Sequence, residues 1–172
     1  MRLIRTTSIA IAASVVLLGA PAVAAAAAPT TAGLASADAA RAAEVDVRIG
    51  GWAEGSAILP DGDILVSNLT GHRIERIDAQ SHQIRAVAEV ADPSQMVVDG
   101  DTLYVVTGNS PASVFLRKGG VVAIDLSTGA RRTVTSGLGE ANGLARLPDG
   151  ELIVSVTLGH GAGVHRVDPP HG

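Results

Sequence analysis

The residues of this chain with chemistry to offer are few. There are five histidines, two serines in matching contexts, a recurring set of aspartates and one carboxylate at the mouth of an apolar run. His72, His82, His160, His165 and His171 form no i, i+4 pair on a predicted helix, so a zinc-protease pattern is missing. His160 and His165 flank Gly161-Ala162-Gly163, which reads as a loop between strands. No helix follows it, so it is not a phosphate cradle. Ser67 and Ser155 lack the Gly-x-Ser-x-Gly elbow of a serine hydrolase. Cysteine is absent, which excludes a thiol nucleophile, a disulfide scaffold and a thiolate metal site. Two positions stand out from this background. Glu54 follows Gly50-Gly51-Trp52 and enters an apolar strand, an unusual place for a carboxylate. Asn142 precedes Gly143, a pair that is also common in plain turns.

Other polar features have simpler readings. Asp78, Asp125 and Asp168 recur once per repeat, as do Asp61, Asp99 and Asp149. A single active site needs no three copies, so these are read as turn residues. Asn68-Leu69-Thr70 is a formal glycosylation sequon but reads as an unmodified strand end. Arg131-Arg132 and Arg117-Lys118 read as solvated surface.

The elements that must position these residues are strands. From Val45 onward no stretch shows helical spacing of apolar residues over three turns. Short β-rich runs alternate instead with Gly, Asp and Pro: Ile64–Ser67, Ile74–Ile77, Leu103–Val106, Val121–Ile124 and Leu152–Ser155. The run Leu59-Pro60-Asp61-Gly62-Asp63-Ile64-Leu65-Val66-Ser67 returns as Leu147-Pro148-Asp149-Gly150-Glu151-Leu152-Ile153-Val154-Ser155, with a degenerate copy over Val98–Val106. After each copy an apolar strand ends in Asp, at a period of about 45 residues. Asp-Gly closes a tight hairpin, because Gly accepts φ > 0 and Asp bonds its own backbone. The strand that follows is nearly all apolar and is expected to be buried on both faces, between neighbouring blades. A turn at Ser127-Thr128-Gly129 leads to an outer strand, Arg132-Thr133-Val134.

The expected fold is therefore all-β: four-stranded antiparallel β-propeller blades in an incomplete ring. The blades are placed at about 51–91, 92–137 and 138–172. Closed propellers carry roughly 4–8 blades, so three leave open faces. Three outcomes follow: two chains closing one ring, a truncated product, or a small non-propeller stack. The end at Asp168-Pro169-Pro170-His171-Gly172, in mid-repeat, favours a truncated or partial chain.

Composition bounds the partners. Aromatic residues are 2% of the chain and net charge is −4. Together these argue against nucleic acid and against an aromatic carbohydrate platform. Residues 1–28 read as a Sec-type signal peptide: Arg2 and Arg5, an apolar stretch from Ile9 to Leu18, then Gly19, Pro21 and the small-residue pattern Ala22-Val23-Ala24. Residues 29–44, rich in Ala, Thr and Ser, read as a linker. Residues 45–172 are then a secreted domain with no membrane span after cleavage.

The run from Trp52 to Ser67, with its continuation Arg73-Ile74-Glu75-Arg76-Ile77-Asp78, resembles the opening blade of the regucalcin/gluconolactonase family. That family has Glu-Gly-Pro, a Gly-x-Leu strand and then Ile-x-Arg-Ile-Asp. Ser56 stands where the family has Pro. Ala141–Gly150 is similar to the family's Asn-Gly or Asn-Asp blade opening, and strictosidine-synthase-like and NHL-type propellers share much of this pattern. The resemblance covers about Gly51 to Asp168 and implies a six-bladed propeller with a metal at its central channel. It implies that Glu54 is a metal ligand and that Asn142 is either a ligand or a substrate contact. No position here matches the family's later Asp ligand. Carboxylate and amide oxygens suit Ca²⁺, Mg²⁺ or Mn²⁺, with Zn²⁺ within range. Such an ion polarises a lactone carbonyl and activates water. The implied activity is metal-dependent lactone hydrolysis on a small molecule, with no organic cofactor and no catalytic residue assigned. The alternatives are a non-catalytic propeller that binds a ligand or partner through its loops, and a truncated chain without activity of its own. Self-association through open blade faces belongs to the same expectation.

Overall fold

The computed structural model describes residues 46–169. The expected signal peptide and linker, and His171, lie outside the described residues. Each described sheet is an antiparallel meander. The first runs β1 (Ala53–Ile58), β2 (Ile64–Asn68), β3 (Arg73–Ile77) and β4 (Ile84–Glu89). The second runs β5 (Met96–Asp99), β6 (Thr102–Thr107), β7 (Gly119–Asp125) and β8 (Arg131–Leu138). The third has three strands, β9 (Glu140–Arg146), β10 (Leu152–Leu158) and β11 (Gly163–Val167). These are propeller blades in sequence order. A six-residue helix, α1 (Pro111–Leu116), sits between β6 and β7 and was not foreseen. It is too short to carry an amphipathic period.

The hairpins form for local reasons. In Leu59-Pro60-Asp61-Gly62 the Gly62 N–H donates to the Leu59 carbonyl at 2.9 Å, and Gly62 has φ +92°. Pro presets the first turn dihedral and Gly alone accepts the last one without strain. Asp61 Oδ1 accepts the Asp63 N–H at 3.1 Å. Leu147–Gly150 repeats the device, with Gly150 N–H to Leu147 O at 3.0 Å and Asp149 Oδ1 accepting Glu151 N–H at 3.2 Å. An arginine on the third strand then clamps each hairpin. Arg76 pairs with Asp61 and Asp63, and Arg166 pairs with Asp149 and Glu151.

The recurring aspartates at the end of the third strand also have local partners. Asp78 Oδ1 accepts Gln80 N–H at 3.0 Å, Ser81 N–H at 2.7 Å and the Ser81 hydroxyl at 2.8 Å. Asp125 Oδ1 accepts Ser127 N–H, the Ser127 hydroxyl and Thr128 N–H at 2.9, 2.6 and 2.8 Å. The structural reading of these residues holds.

The sheets pack face to face. Leu65 and Ile74 of the first blade are fully buried with Leu103, Val105, Val122 and Ile124 of the second. Tyr104, Val106, Val121 and Ala123 of the second blade are buried with Leu144, Leu152, Val154 and Val156 of the third. A fully buried Leu, Ile or Val contributes roughly 1.5–3 kcal/mol relative to exposure. These two joints are therefore the main source of stability. The second strands β2 and β6 are buried along most of their length, and the expected place between two neighbouring blades is seen for β6. The expectation fails for β10, where burial alternates. One face of β10 meets the second blade, and no sheet covers the other among the described residues. Of the arginine pairs, Arg117, Lys118 and Arg131 are exposed, as expected. Arg131 Nη1 donates to the Glu89 carbonyl at 3.0 Å, and Arg132 is half-buried. Both lie on β8. Arg117 ends α1 in a left-handed conformation, and its N–H donates to Ser113 O.

The turn aspartates make folding pH-dependent. Hydrogen bonds from the Ser127 hydroxyl, then from Thr128, hold the Asp125 carboxyl down at about 2, against an ordinary 3.8. Asp78, through the backbone and hydroxyl of Ser81, and Asp63, through the Ala79 N–H and Arg76, are also lowered. A depressed carboxylate stabilises the folded state above its unfolded pKa, and that stability is lost as pH falls through the folded value. Thermal melts should thus show Asp125→Ala lowering Tm by a few degrees at pH 7. The gap to the unmodified protein should close between about pH 4 and pH 2.

Candidate functional site

β1 and β9 open with the same device. The β1–β2 ladder shifts register between Ala53 and Ser56, and the β9–β10 ladder shifts beside Val154 and Val156. At each irregularity a glycine N–H turns away from the ladder and is caught by a serine of the next strand. Gly55 N–H donates to Ser67 Oγ at 2.7 Å, and Gly143 N–H donates to Ser155 Oγ at 2.9 Å. Bulges of this kind re-aim the neighbouring side chain. The residues immediately before these glycines are Glu54 and Asn142. Ser67 and Ser155, which the sequence shows at equivalent repeat positions, are thus bulge clamps.

Ladder register aligns the three blades. Ser56 pairs with Val66, Met96 with Val105 and Leu144 with Val154, so these inner-strand residues are equivalent. Two residues earlier stand Glu54, Ser94 and Asn142. The sequence reading found the first and the third and missed Ser94. In the second blade the backbone closes the ladder directly, with Ser94 N–H to Val106 O at 3.1 Å and Val106 N–H to Gln95 O at 3.0 Å. Ser94 and Gln95 thus stand opposite the one residue Val106, which replaces the clamping serine, and the Glu-Gly or Asn-Gly signal is lost. The only surviving signal is the loop Asp92-Pro93-Ser94 before a strand.

The three positions lie on neighbouring strands, with β5 between β1 and β9. A Cβ on Gly55 would fall 2.6 Å from the Ser94 carbonyl oxygen, so β1 and β5 approach as closely as glycine allows. On the other side Gln95 N–H donates to the Asn142 carbonyl at 3.3 Å, and the Ser94 hydroxyl donates to Asn142 Oδ1 at 3.4 Å. Ser94 is buried, Glu54 half-buried and Asn142 exposed. The donor set is one carboxylate, one hydroxyl and one amide, all hard oxygens. Among the described residues no group of three or more His, Asp and Glu could hold a metal ion. The structure thus brings Glu54 and Asn142 to equivalent places on strands flanking β5, and it does not assemble a complete coordination sphere.

Two further features lie outside this set. His72 Nδ1 is 3.1 Å from Asp92 Oδ1, in a groove between the first two blades that Lys118 and Glu89 also line. A larger cavity, of about 610 Å³, is lined by Tyr104, Asp125, Arg132 and Arg146, and by none of the three inner-strand residues. The sequon is closed to modification. Asn68 is fully buried, its Oδ1 accepts Gly71 N–H at 2.8 Å, and Gly51 and Gly71 press against its side chain.

The fold has solved counterparts. A structure of a gluconolactonase candidate matches at TM-score 0.52 and 18% identity, covering 69% of this chain and 49% of that one. An aldose sugar dehydrogenase from Streptomyces coelicolor, in its PQQ-bound form, matches at TM-score 0.49 and 22% identity, covering 61% and 38%. A catalytically inactive virginiamycin B lyase from Staphylococcus aureus, solved with quinupristin, matches at TM-score 0.49 and 21% identity, covering 70% and 42%. At these identities the likeness is one of fold, and this chain spans half or less of the length of each. No protein-family profile and no curated protein matches the chain.

The serine clamps are testable by urea denaturation. Ser67→Ala leaves the buried Gly55 N–H without its acceptor and should cost about 1–3 kcal/mol. Gly55→Ala places a Cβ against the Ser94 backbone and should cost at least as much.

Proposed function

We propose that this chain is part of an exported β-propeller of gluconolactonase type, shorter than the complete ring, and that its inner-strand oxygens hold a divalent cation for lactone hydrolysis. The observation that carries this reading is the equivalence of Glu54, Ser94 and Asn142 at the start of three adjacent inner strands. Glu54 supplies the negative charge. Asn142 supplies an amide oxygen, whose orientation is held by the Ser94 hydroxyl. The bulges at Gly55 and Gly143 keep both side chains at the strand mouths without breaking the sheet. When bound, the cation contributes Lewis-acid polarisation of the lactone carbonyl. The donors fit a hard cation in kind but not in number, since Ca²⁺ takes 6–8 oxygens. Further donors must come from water, substrate or other blades. The reading takes the protein to be exported, on the strength of the signal-peptide pattern in residues 1–28, with a small polar ester as substrate.

A second reading is a non-catalytic module that binds a small ligand at the same end. The single carboxylate among the three donors favours it.

Thermal melts with Ca²⁺, Mg²⁺, Mn²⁺ or Zn²⁺ separate the two. Under the first reading at least one ion raises Tm by several degrees at concentrations well above its Kd. Glu54→Gln removes that shift, and pH-stat assays show metal-dependent opening of an aldonolactone. No shift with any ion, and a Glu54→Gln variant indistinguishable from the parent, rejects it. Ligand binding that persists in EDTA supports the second.

A further inference from the structure

We propose that the cavity between the second and third blades is a binding site for a small hydroxylated carboxylate, with Arg132 as its anchor. The cavity measures about 610 Å³, within the range of about 300–1,000 Å³ usual for small-ligand sites. It touches none of Glu54, Ser94 and Asn142, so the inference goes beyond the lactone reading and does not rest on it. Side chains alternate between the faces of a strand. Thr102 and Tyr104 of β6, Ala123 and Asp125 of β7 and Arg132 of β8 therefore share one face of the second blade. That face buries Tyr104 and Ala123 against the third blade. Arg146 of the third blade spans the joint, with its Nη2 2.8 Å from Asp99 Oδ2, and lines the cavity from the other side.

Register explains why space is left here. Leu65 pairs with Arg76, Tyr104 with Ala123 and Ile153 with Arg166. Ala123 thus stands where the first and third blades carry their clamp arginine. The partner differs too. Thr102 occupies the place of Asp63 and Glu151, which receive that arginine in the other two blades. The second blade therefore lacks both halves of the clamp, the long guanidinium arm and its carboxylate. A methyl group in place of that arm leaves room between the sheets.

Arg132 faces this room, because it pairs with Ala123 across the β7–β8 ladder. Its Nη1 is buried and has no hydrogen-bond partner among the described residues. A buried donor on a charged group is costly until an acceptor meets it. The neighbouring cations are already engaged, Arg131 with the Glu89 carbonyl and Arg146 with Asp99. A carboxylate offers the planar pair of acceptors that a guanidinium matches. The rest of the ligand is set by Asp99, Asp125 and Asp149, which also line the cavity. Ionised carboxylates accept hydrogen bonds from hydroxyl groups and repel a second negative charge. A hydroxylated monoanion meets both demands, and a dianion does not.

The test is calorimetric titration of the protein in EDTA, with lactate, glycerate and gluconate as probes. Sorbitol serves as the uncharged control, and inorganic phosphate at alkaline pH as the dianion. At least one of the three acids should bind, and neither control should. Arg132→Gln should weaken that binding about tenfold or more, as expected for loss of a hydrogen bond to a charged group, and keep a cooperative thermal melt. The double variant Thr102→Asp, Ala123→Arg rebuilds the clamp of the first blade. It should fold as the parent does and bind none of the acids. Glu54→Gln should bind like the parent, which separates this cavity from the inner-strand oxygens and from the fate of the proposed function. No binding of any of the three acids overturns the proposal, as does equal binding of phosphate or sorbitol. So does binding that is undiminished in Arg132→Gln or in the clamp variant, or that is lost in Glu54→Gln.

Discussion

A propeller blade is a sheet with two apolar faces, and water must be kept from both. Everything else in this structure depends on the joint that answers this need. Leu65 and Ile74 on one side, with Leu103, Val105, Val122 and Ile124 on the other, set the spacing of the first two blades. That spacing brings β1 against β5 so closely that only glycine fits at position 55. The site is thus a product of the joint. Glu54 and Ser94 are neighbours because large aliphatic side chains farther out hold their sheets together.

The two ends of the blades divide their tasks. At one end the hairpins are closed by Pro, Asp and Gly and clamped by Arg76 and Arg166, all through contacts within one sheet. These turns repeat because their chemistry is local. The other end carries α1, the His72–Asp92 pair and the inner-strand mouths, and it differs from blade to blade. Variation is tolerated there because the ladders below hold the register, and a rigid scaffold with varied loops is where binding groups are usually found.

The serine clamps link these ideas. A bulge frees a backbone N–H in the interior, and an unpaired buried donor is costly. Ser67 and Ser155 remove that cost, so the chain can turn Glu54 and Asn142 out of the ladder and stay folded. The second blade shows the other solution: Ser94 and Gln95 stand opposite Val106, and the Gln95 N–H is taken by the Asn142 carbonyl of the next blade. A polar side chain, Ser94, still occupies the strand mouth. The stability of both bulges thus rests on a pair of hydroxyls that accept a buried backbone N–H.

How much of this was legible before the fold was known follows from the range of each interaction. The turns at Gly62 and Gly150, the strands around them and the structural aspartates at 78 and 125 depend on neighbours within a few residues, and the repeat displays them directly. Glu54 and Asn142 were visible because a bulge demands glycine and so leaves a mark. Ser94 was not, because its irregularity carries Gln95 in place of glycine and so leaves no mark. The half-buried Arg132 of β8, the alternating burial of β10 and the sealed side chain of Asn68 escaped for a related reason. Burial depends on which sheet lies opposite, and that is decided by packing between residues far apart in the chain. By itself the sequence determined that this protein is a repeat of short antiparallel strands with turns of one design. Only the tertiary structure decided which faces meet, because an apolar face specifies that it must be covered but not by what.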